Sequence, residues 1–209
     1  MPWFLCNDLF MGTKALRGRE NWQERGGGLA EGAERRFDDV FNKAFKNSDF
    51  SIRSKPRELK DIYSGVALSS KVLGDIYVPK GETWVHGVVP DFAIDNKQTG
   101  KTLYIEVKRQ DGWVEGKARN AGRGNAHERS CKFFTPGLLR ILHEHSGIDK
   151  SELPFWTVFQ GDIARDPKRV REIHLWYEGV EDHFFLWSDN KPDNSVVDHF
   201  NRNLKHLLA

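Results

Sequence analysis

Two carboxylates and an amine stand at a spacing that suits hydrolysis of a phosphodiester. Asp91 follows a proline, and Glu106, Val107 and Lys108 come after fourteen intervening residues. Because side chains alternate along a strand, Glu106 and Lys108 point to one face and Val107 points into the core. Asp91 on a neighbouring strand can then meet them. Carboxylates are hard ligands for Mg²⁺, and Lys108 is placed to steady the attacking water or the pentavalent phosphorus.

A second group of polar side chains lies between residues 119 and 132, in a polar segment that contains glycines. Arginine can bind the guanine edge with two hydrogen bonds, and asparagine can do the same for adenine. The alternative to base recognition is a basic loop that only binds phosphates. With the carboxylates and the amine, the group predicts an enzyme that cuts DNA at a recognised sequence. The candidate readers are Arg119, Asn120, Arg123, Asn125, Glu128, Arg129 and Lys132.

The distribution of charge favours a polyanionic partner for this part of the chain. The net charge is only +2, but residues 108–140 carry eight lysines and arginines against three acids. Residues 181–198 carry five acids and one lysine. A polyanion is drawn to the first segment and repelled by the second, although charge runs are also common on solvated faces.

The bulk properties predict one intracellular domain without a membrane span. A chain of 209 residues is long enough for one core, so we expect a single domain over 1–209, with the Gly- and Arg-rich residues 1–30 as a possible flexible arm. No apolar run reaches the length of a transmembrane helix, and the first residues lack the pattern of a signal peptide. Two cysteines give no disulfide framework, so a reducing cytoplasm is expected.

The elements that must position the carboxylates and the amine form a predicted hairpin. Residues 88–94 and 102–108 have the composition of strands, and the polar residues 96–101 between them suit a turn. Such a hairpin places Asp91 near one end and brings Glu106 and Lys108 to the same end.

Helices and further strands are predicted on either side of the hairpin. Their order predicts an α/β fold with a central mixed sheet flanked by helices. Residues 57–63 suit a short helix, and residues 75–78 and 83–89 suit short strands or extended connections. The remaining elements are an amphipathic helix over 31–47, helices over 126–134 (with Asn125 as its N-cap) and 138–145, strands over 154–160 and 172–177, and a closing amphipathic helix over 195–208.

The reading segment and the hairpin together resemble a known family. Residues 124–132 have the pattern Gly-Asn-Ala-x-Glu-Arg-Ser-x-Lys, which is similar to the recognition segment of type II restriction endonucleases of the EcoRI–MunI branch, within the PD-(D/E)xK nucleases. The Pro-Asp and Glu-x-Lys motifs and the apolar strand after them fit the same family. The resemblance covers residues 85–162 and is stronger to the MunI version, because Arg123 stands where EcoRI has a small residue.

The resemblance implies a catalytic centre and a recognition site. Asp91 and Glu106 would bind Mg²⁺ together with the backbone carbonyl of Val107, and Lys108 would be catalytic. Asn125, Glu128 and Arg129 would read the inner A·T pairs, and Arg123 the outer C·G pair. The implied DNA-binding set is Arg119, Arg123, Gly124, Asn125, Ala126, Glu128, Arg129 and Lys132.

The resemblance also implies the reaction and the partners. It predicts cleavage of double-stranded DNA at CAATTG after the first C, leaving four-base 5′ overhangs, with GAATTC as the nearest competitor. The enzyme would be a homodimer on a palindrome, with residues 133–146 and the arm before residue 30 as candidate contacts. A DNA methyltransferase is expected in the same system, without a stable complex.

Two other functions and several weaker sites remain open from the residues. A repair or junction nuclease would use the same centre but read DNA shape, and a catalytically silent DNA-binding protein would only hold DNA. Glu34 is either a further carboxylate of the centre or a surface residue. Cys131 and nearby histidines lack the spacing of a zinc site. Trp156, Trp176 and Trp187 read as core, whereas Trp22 and Trp113 could contact DNA or a partner subunit.

Overall fold

One mixed sheet contains the five strands of the described residues, in the order β1-β2-β3-β4-β5. A computed structural model of the chain describes residues 28, 30–77, 85–111 and 128–209. The first three strands pair antiparallel, and β3, β4 and β5 pair parallel. The strands are β1 (Phe50–Ser54), β2 (Phe92–Asn96), β3 (Thr102–Arg109), β4 (Phe155–Gln160) and β5 (Phe184–Trp187).

The predicted hairpin is confirmed as β2 and β3. The backbone amide of Gln98 donates to the side-chain carbonyl of Asn96 at 2.9 Å, which forms a local turn. Gly100 completes the turn at φ +73, where a residue without Cβ is favoured. Phe92 then stands opposite Ile105 across the antiparallel pair.

Helix α1, over 30–45, covers one face of the sheet, as the spacing of its aromatic residues predicts. Phe37 and Phe41 are fully buried and Phe45 is nearly so, because residues four apart share one face of a helix. Their rings pack on one another at 4.6 and 5.3 Å between centroids. The C-terminal helical segment packs on the same face.

The closing helix of this face is less regular than predicted. An α-helix α5 (Asn194–His199) continues as a π-helix (Phe200–Leu204) and ends in a 3-10 helix (Lys205–Leu208). Its last residues hold the β2–β3 turn. The carbonyl of Leu208 accepts from the side chains of Asn96 and Thr99, each at 2.7 Å, and the Lys101 amine donates to the carbonyl of Ala209.

The other face of the sheet is covered by helices α3 (Pro136–Ser146) and α4 (Pro167–Trp176). The strand predicted over 172–177 is wrong, since these residues belong to α4 and its end. Asp166 caps this helix by accepting from the backbone amides of Lys168 and Arg169, and Pro167 takes the first helical position. Ile173 and Tyr177, four apart, are the buried residues.

Several smaller elements also differ from the expected ones. Pro136 begins α3, and the residues before it form a 3-10 helix (Glu128–Phe134). Residues 58–65 form turns, and a short helix α2 (Ser70–Asp75) precedes the region expected to be extended. Residues 85–90 form no strand. Short 3-10 helices, Gly161–Arg165 and Glu181–His183, follow β4 and precede β5.

Two of the three tryptophans predicted in the core, Trp156 and Trp187, are fully buried. Trp176 is partly buried and packs against the core. Among the described residues, none of the helices has the length and apolar composition to cross a membrane. The thiol of Cys131 is free and partly exposed.

Burial of His183 makes stability depend on pH. Its Nδ1 donates to the carbonyl of Phe155 at 2.8 Å, and burial lowers the pKa of the imidazole below the ordinary 6.5. Between the folded pKa and 6.5, the unfolded chain therefore binds a proton at this imidazole that the folded chain does not bind. Stability is retained above pH 6.5, falls as the pH drops through 6.5, and goes on falling until the folded pKa is reached.

We expect the urea midpoint of His183→Gln to fall less between pH 7.5 and 5.5 than that of the natural chain. The exposed His206→Gln is the matched control, and the dependence of its urea midpoint on pH should equal that of the natural chain. Parallel slopes for all three proteins would contradict the assignment to His183.

Candidate active site

Asp91, Glu106 and Lys108 come together at one end of the β2–β3 hairpin. The carboxylate Oδ2 of Asp91 accepts from the backbone amide of Val107 at 2.8 Å and from Lys108 Nζ at 3.1 Å. The Lys108 ammonium also binds Glu106 Oε2. The convergence expected from the sequence is therefore present in the fold.

The register of the hairpin explains this convergence. Phe92 pairs with Ile105, so one residue further along the antiparallel pair Asp91 stands opposite Glu106. Facing residues of neighbouring strands share one side of the sheet. Val107, between Glu106 and Lys108 on β3, is buried in the opposite layer.

Burial and neighbouring charges shift the pKa values of the two carboxyl groups in opposite directions. Asp91 and Glu106 are only 8% and 4% exposed. Burial raises the pKa of Asp91, but the ammoniums of Lys108 and Lys55 and the Val107 amide outweigh it and hold that pKa below its usual value. Burial, reinforced by the charge of Asp91, holds the pKa of Glu106 above its usual value despite Lys108.

Lys108 remains an ammonium in this setting. Burial alone would lower its pKa, but the charges of Glu106 and Asp91 more than compensate and raise it. The group therefore offers a fixed positive charge next to two buried carboxylates.

A second lysine, which the sequence interpretation missed, joins the site from the end of β1. Lys55 Nζ lies 2.7 Å from Asp91 Oδ1 and 2.8 Å from Glu34 Oε2. Glu34 on α1 is therefore linked to the centre through Lys55. The sequence signal is weak, because Lys55 follows a five-residue strand that was not predicted and lies far from the hairpin along the chain.

The 3-10 helix Glu128–Phe134 brings part of the predicted reading segment to the same place. Lys132 Nζ lies 4.0 Å from Glu106 Oε1. Ser130 and Phe133 anchor the helix in the core, while Glu128 and Arg129 are exposed. Six residues of the predicted reading and DNA-binding sets lie outside the described residues: Arg119, Asn120, Arg123, Gly124, Asn125 and Ala126.

The chemistry of the side chains suits a hard cation. Asp91 and Glu106 present carboxylate oxygens, which Mg²⁺ prefers over sulfur or imidazole ligands. Among the described residues no group of three or more acidic, histidine or cysteine side chains is close enough to hold a metal by itself. Any cation held here would therefore complete its coordination with groups such as a backbone carbonyl, water or phosphate.

Comparison with known proteins identifies the family. A family model described as the type II restriction enzyme MunI matches residues 11–209. The chain belongs to the MunI family. One relative, the type II restriction enzyme MunI of Mycoplasma sp, is 51% identical over 201 residues, which is 95% of this chain and all of the relative.

A solved relative shares the fold. The crystal structure of MunI restriction endonuclease in complex with cognate DNA is 50% identical to this chain and has a TM-score of 0.77. The match covers 90% of this chain and 98% of the relative. The predicted fold class, a PD-(D/E)xK-like α/β fold with a central mixed sheet flanked by helices, is confirmed.

Membership of the MunI family also fixes the kind of activity. The chain is a type II restriction endonuclease, an enzyme that cleaves DNA at specific sites. The predicted resemblance and enzyme class are therefore confirmed. The repair nuclease and the silent DNA-binding protein do not fit this family.

Proposed function

We propose that this MunI-family enzyme cleaves double-stranded DNA at CAATTG, after the first C, and leaves four-base 5′ overhangs. GAATTC is the nearest alternative. The pattern of residues 124–132, with Arg123 before it, supports the proposed sequence. The buried centre of Asp91, Glu106 and Lys108, with Lys132 beside it, supports the proposed cleavage. The solved relative bound to its cognate DNA supports DNA as the partner.

The proposed cofactor is Mg²⁺, held by Asp91, Glu106 and the backbone carbonyl of Val107. When bound, it would stabilise charge on the phosphate and make water a better nucleophile. Lys108 holds a positive charge beside both carboxylates, where it can orient the attacking water or the phosphate. Burial of the two carboxylates keeps their charges poorly screened, which strengthens their attraction for a cation.

The proposed readers of the inner A·T pairs are Asn125, Glu128 and Arg129. Glu128 and Arg129 are exposed on a helix whose Ser130 and Phe133 are buried, so their side chains are free to approach a groove while their backbone is fixed. We propose Arg123 for the outer C·G pair. Arg119, Gly124, Ala126 and Lys132 complete the proposed DNA-binding set.

The proposed assembly is a homodimer, since a two-fold protein presents one identical centre to each strand of a palindrome. Residues 133–146 and the arm before residue 30 are the proposed contacts. We also propose one domain over 1–209, a cytoplasmic location, and a methyltransferase that protects the host DNA without forming a stable complex with the enzyme.

Sequencing the ends of digestion fragments tests the proposal. Phage DNA incubated with the chain and Mg²⁺ should give discrete fragments that all begin with 5′-AATTG, and EDTA should prevent cutting. Short duplexes that differ only in the outer pair, CAATTG and GAATTC, provide the matched comparison. Fragments beginning with AATTC would assign the other outer pair, and a smear without fixed ends would overturn the proposal.

A further inference from the structure

The ammonium of Lys55 is shared between two carboxylates beside the proposed catalytic centre. Its Nζ lies 2.7 Å from Asp91 Oδ1 and 2.8 Å from Glu34 Oε2. The other oxygen of Asp91, Oδ2, is already engaged by Val107 and Lys108. Oδ1 is therefore the oxygen of Asp91 on which Lys55 would compete with an incoming cation.

The backbone holds Lys55 in this place. The Lys55 amide donates to the carbonyl of Asp91 at 2.9 Å, which extends the β1–β2 pairing by one residue. Lys55 has φ +48, a left-handed conformation that non-glycine residues rarely adopt. The following Pro56 is buried. The backbone therefore fixes where the Lys55 side chain begins, and from there its half-exposed ammonium reaches Asp91.

Glu34 is poorly placed to bind the same cation as Asp91 and Glu106. The Lys55 ammonium lies between Glu34 and Asp91. Within the described residues, these three acids do not form a group that could hold a metal together. The observed partner of Glu34 is thus Lys55.

We propose that Glu34 and Lys55 are a positioning pair that sets how strongly Asp91 binds a divalent cation. When a cation takes Asp91 Oδ1, Glu34 retains the displaced ammonium nearby and so lowers the cost of displacing it. Without Glu34, Lys55 would rest on Asp91 alone and compete more strongly. This inference rests on the proposed role of Asp91 as a cation ligand.

A double-mutant cycle with Glu34→Gln and Lys55→Met separates this pair from a direct ligand. Two quantities are measured on the full chain: the Mg²⁺ concentration for half-maximal cleavage of a CAATTG duplex, and Mn²⁺ binding without DNA, followed by the electron paramagnetic resonance of free Mn²⁺. We expect Lys55→Met to lower both half-saturation concentrations by about three- to thirtyfold and Glu34→Gln to raise them by a similar factor.

The double variant gives the decisive result. If Glu34 acts through Lys55, Glu34→Gln has little further effect once Lys55 is Met. If Glu34 is itself a cation ligand, Glu34→Gln weakens cation binding equally in both backgrounds, which overturns the proposal. Unchanged half-saturation in Lys55→Met overturns it as well.

Three controls keep the outcome interpretable. Lys55→Arg retains the charge and should stay near the natural half-saturation, and exposed Lys60→Met should change nothing. Thermal unfolding shows that each variant is folded, and Lys55→Gln replaces any Met variant that is not. If the natural chain neither cleaves the duplex nor binds Mn²⁺, the proposed function is contradicted. If it does both but the double-mutant cycle shows no coupling between Glu34 and Lys55, only the positioning pair is contradicted.

Discussion

Replacing Asp91 with Ala is expected to abolish DNA cleavage and to leave specific DNA binding largely intact. The substitution removes a proposed cation ligand at the centre where Lys108 and Glu106 meet. A bound metal contributes several kcal/mol of charge stabilisation, and each ~1.4 kcal/mol is about tenfold in rate. The cleavage rate should therefore fall by roughly three orders of magnitude or more.

Binding should survive because Asp91→Ala removes a negative charge from a place that a phosphate must approach. Lys55 and Lys108 both lose an acidic partner, so the surface facing DNA becomes more positive. Single-turnover cleavage and gel-shift titration on one CAATTG duplex measure the two effects. Glu178→Ala removes an exposed carboxylate from a turn and is the matched control. Cleavage that persists, or specific binding that disappears, would contradict the role assigned to Asp91.

Replacing Arg129 with Ala is expected to remove discrimination at the inner base pairs. Arg129 is exposed at the start of the 3-10 helix whose Phe133 is buried against Phe155, at 5.3 Å between ring centroids. A lost bidentate base contact costs about 1–3 kcal/mol of specific affinity, which is roughly 5- to 150-fold in the dissociation constant. The fold should tolerate the change, since the side chain supports no core packing.

Competition binding at one fixed salt concentration measures this effect, because phosphate contacts depend strongly on salt. The competitors are CAATTG duplexes with single inner-pair substitutions. Arg171→Ala on α4 removes an exposed arginine elsewhere and is the matched control. If Arg129→Ala weakened every duplex by the same factor, Arg129 would be a phosphate contact and not a reader.

The sequence predicted the candidate site best where the positions of its side chains depend on a single pair of strands. Alternation along β3 correctly separates Glu106 and Lys108 from Val107, and the polar turn at 96–101 fixes which residues face Asp91. These relations are local, because a short turn sets the register of the hairpin. The aromatic residues of α1 are similarly informative, since four-residue spacing has one simple explanation.

The missed contacts are those that depend on tertiary structure. Lys55 meets Asp91 only because β1 pairs with β2 over a long separation along the chain. β1 and β5 have five and four residues, too few for a clear periodic signal. In α4 the apolar residues near its end suggested a strand, whereas the Asp-Pro signal at its start was the better guide.

The attachment of the last residues to the β2–β3 turn has a practical consequence. Asp91 precedes β2 and the turn follows it, so five residues of strand, about 16 Å, separate the end of the hairpin that carries the proposed catalytic centre from the end held by Leu208 and Ala209. A flexible linker joined to Ala209 would emerge at that distal end and keep the peptide carbonyl that Lys101 binds. Immobilising the enzyme on a glass surface through such a linker should leave its cutting side accessible to stretched DNA in single-molecule recordings.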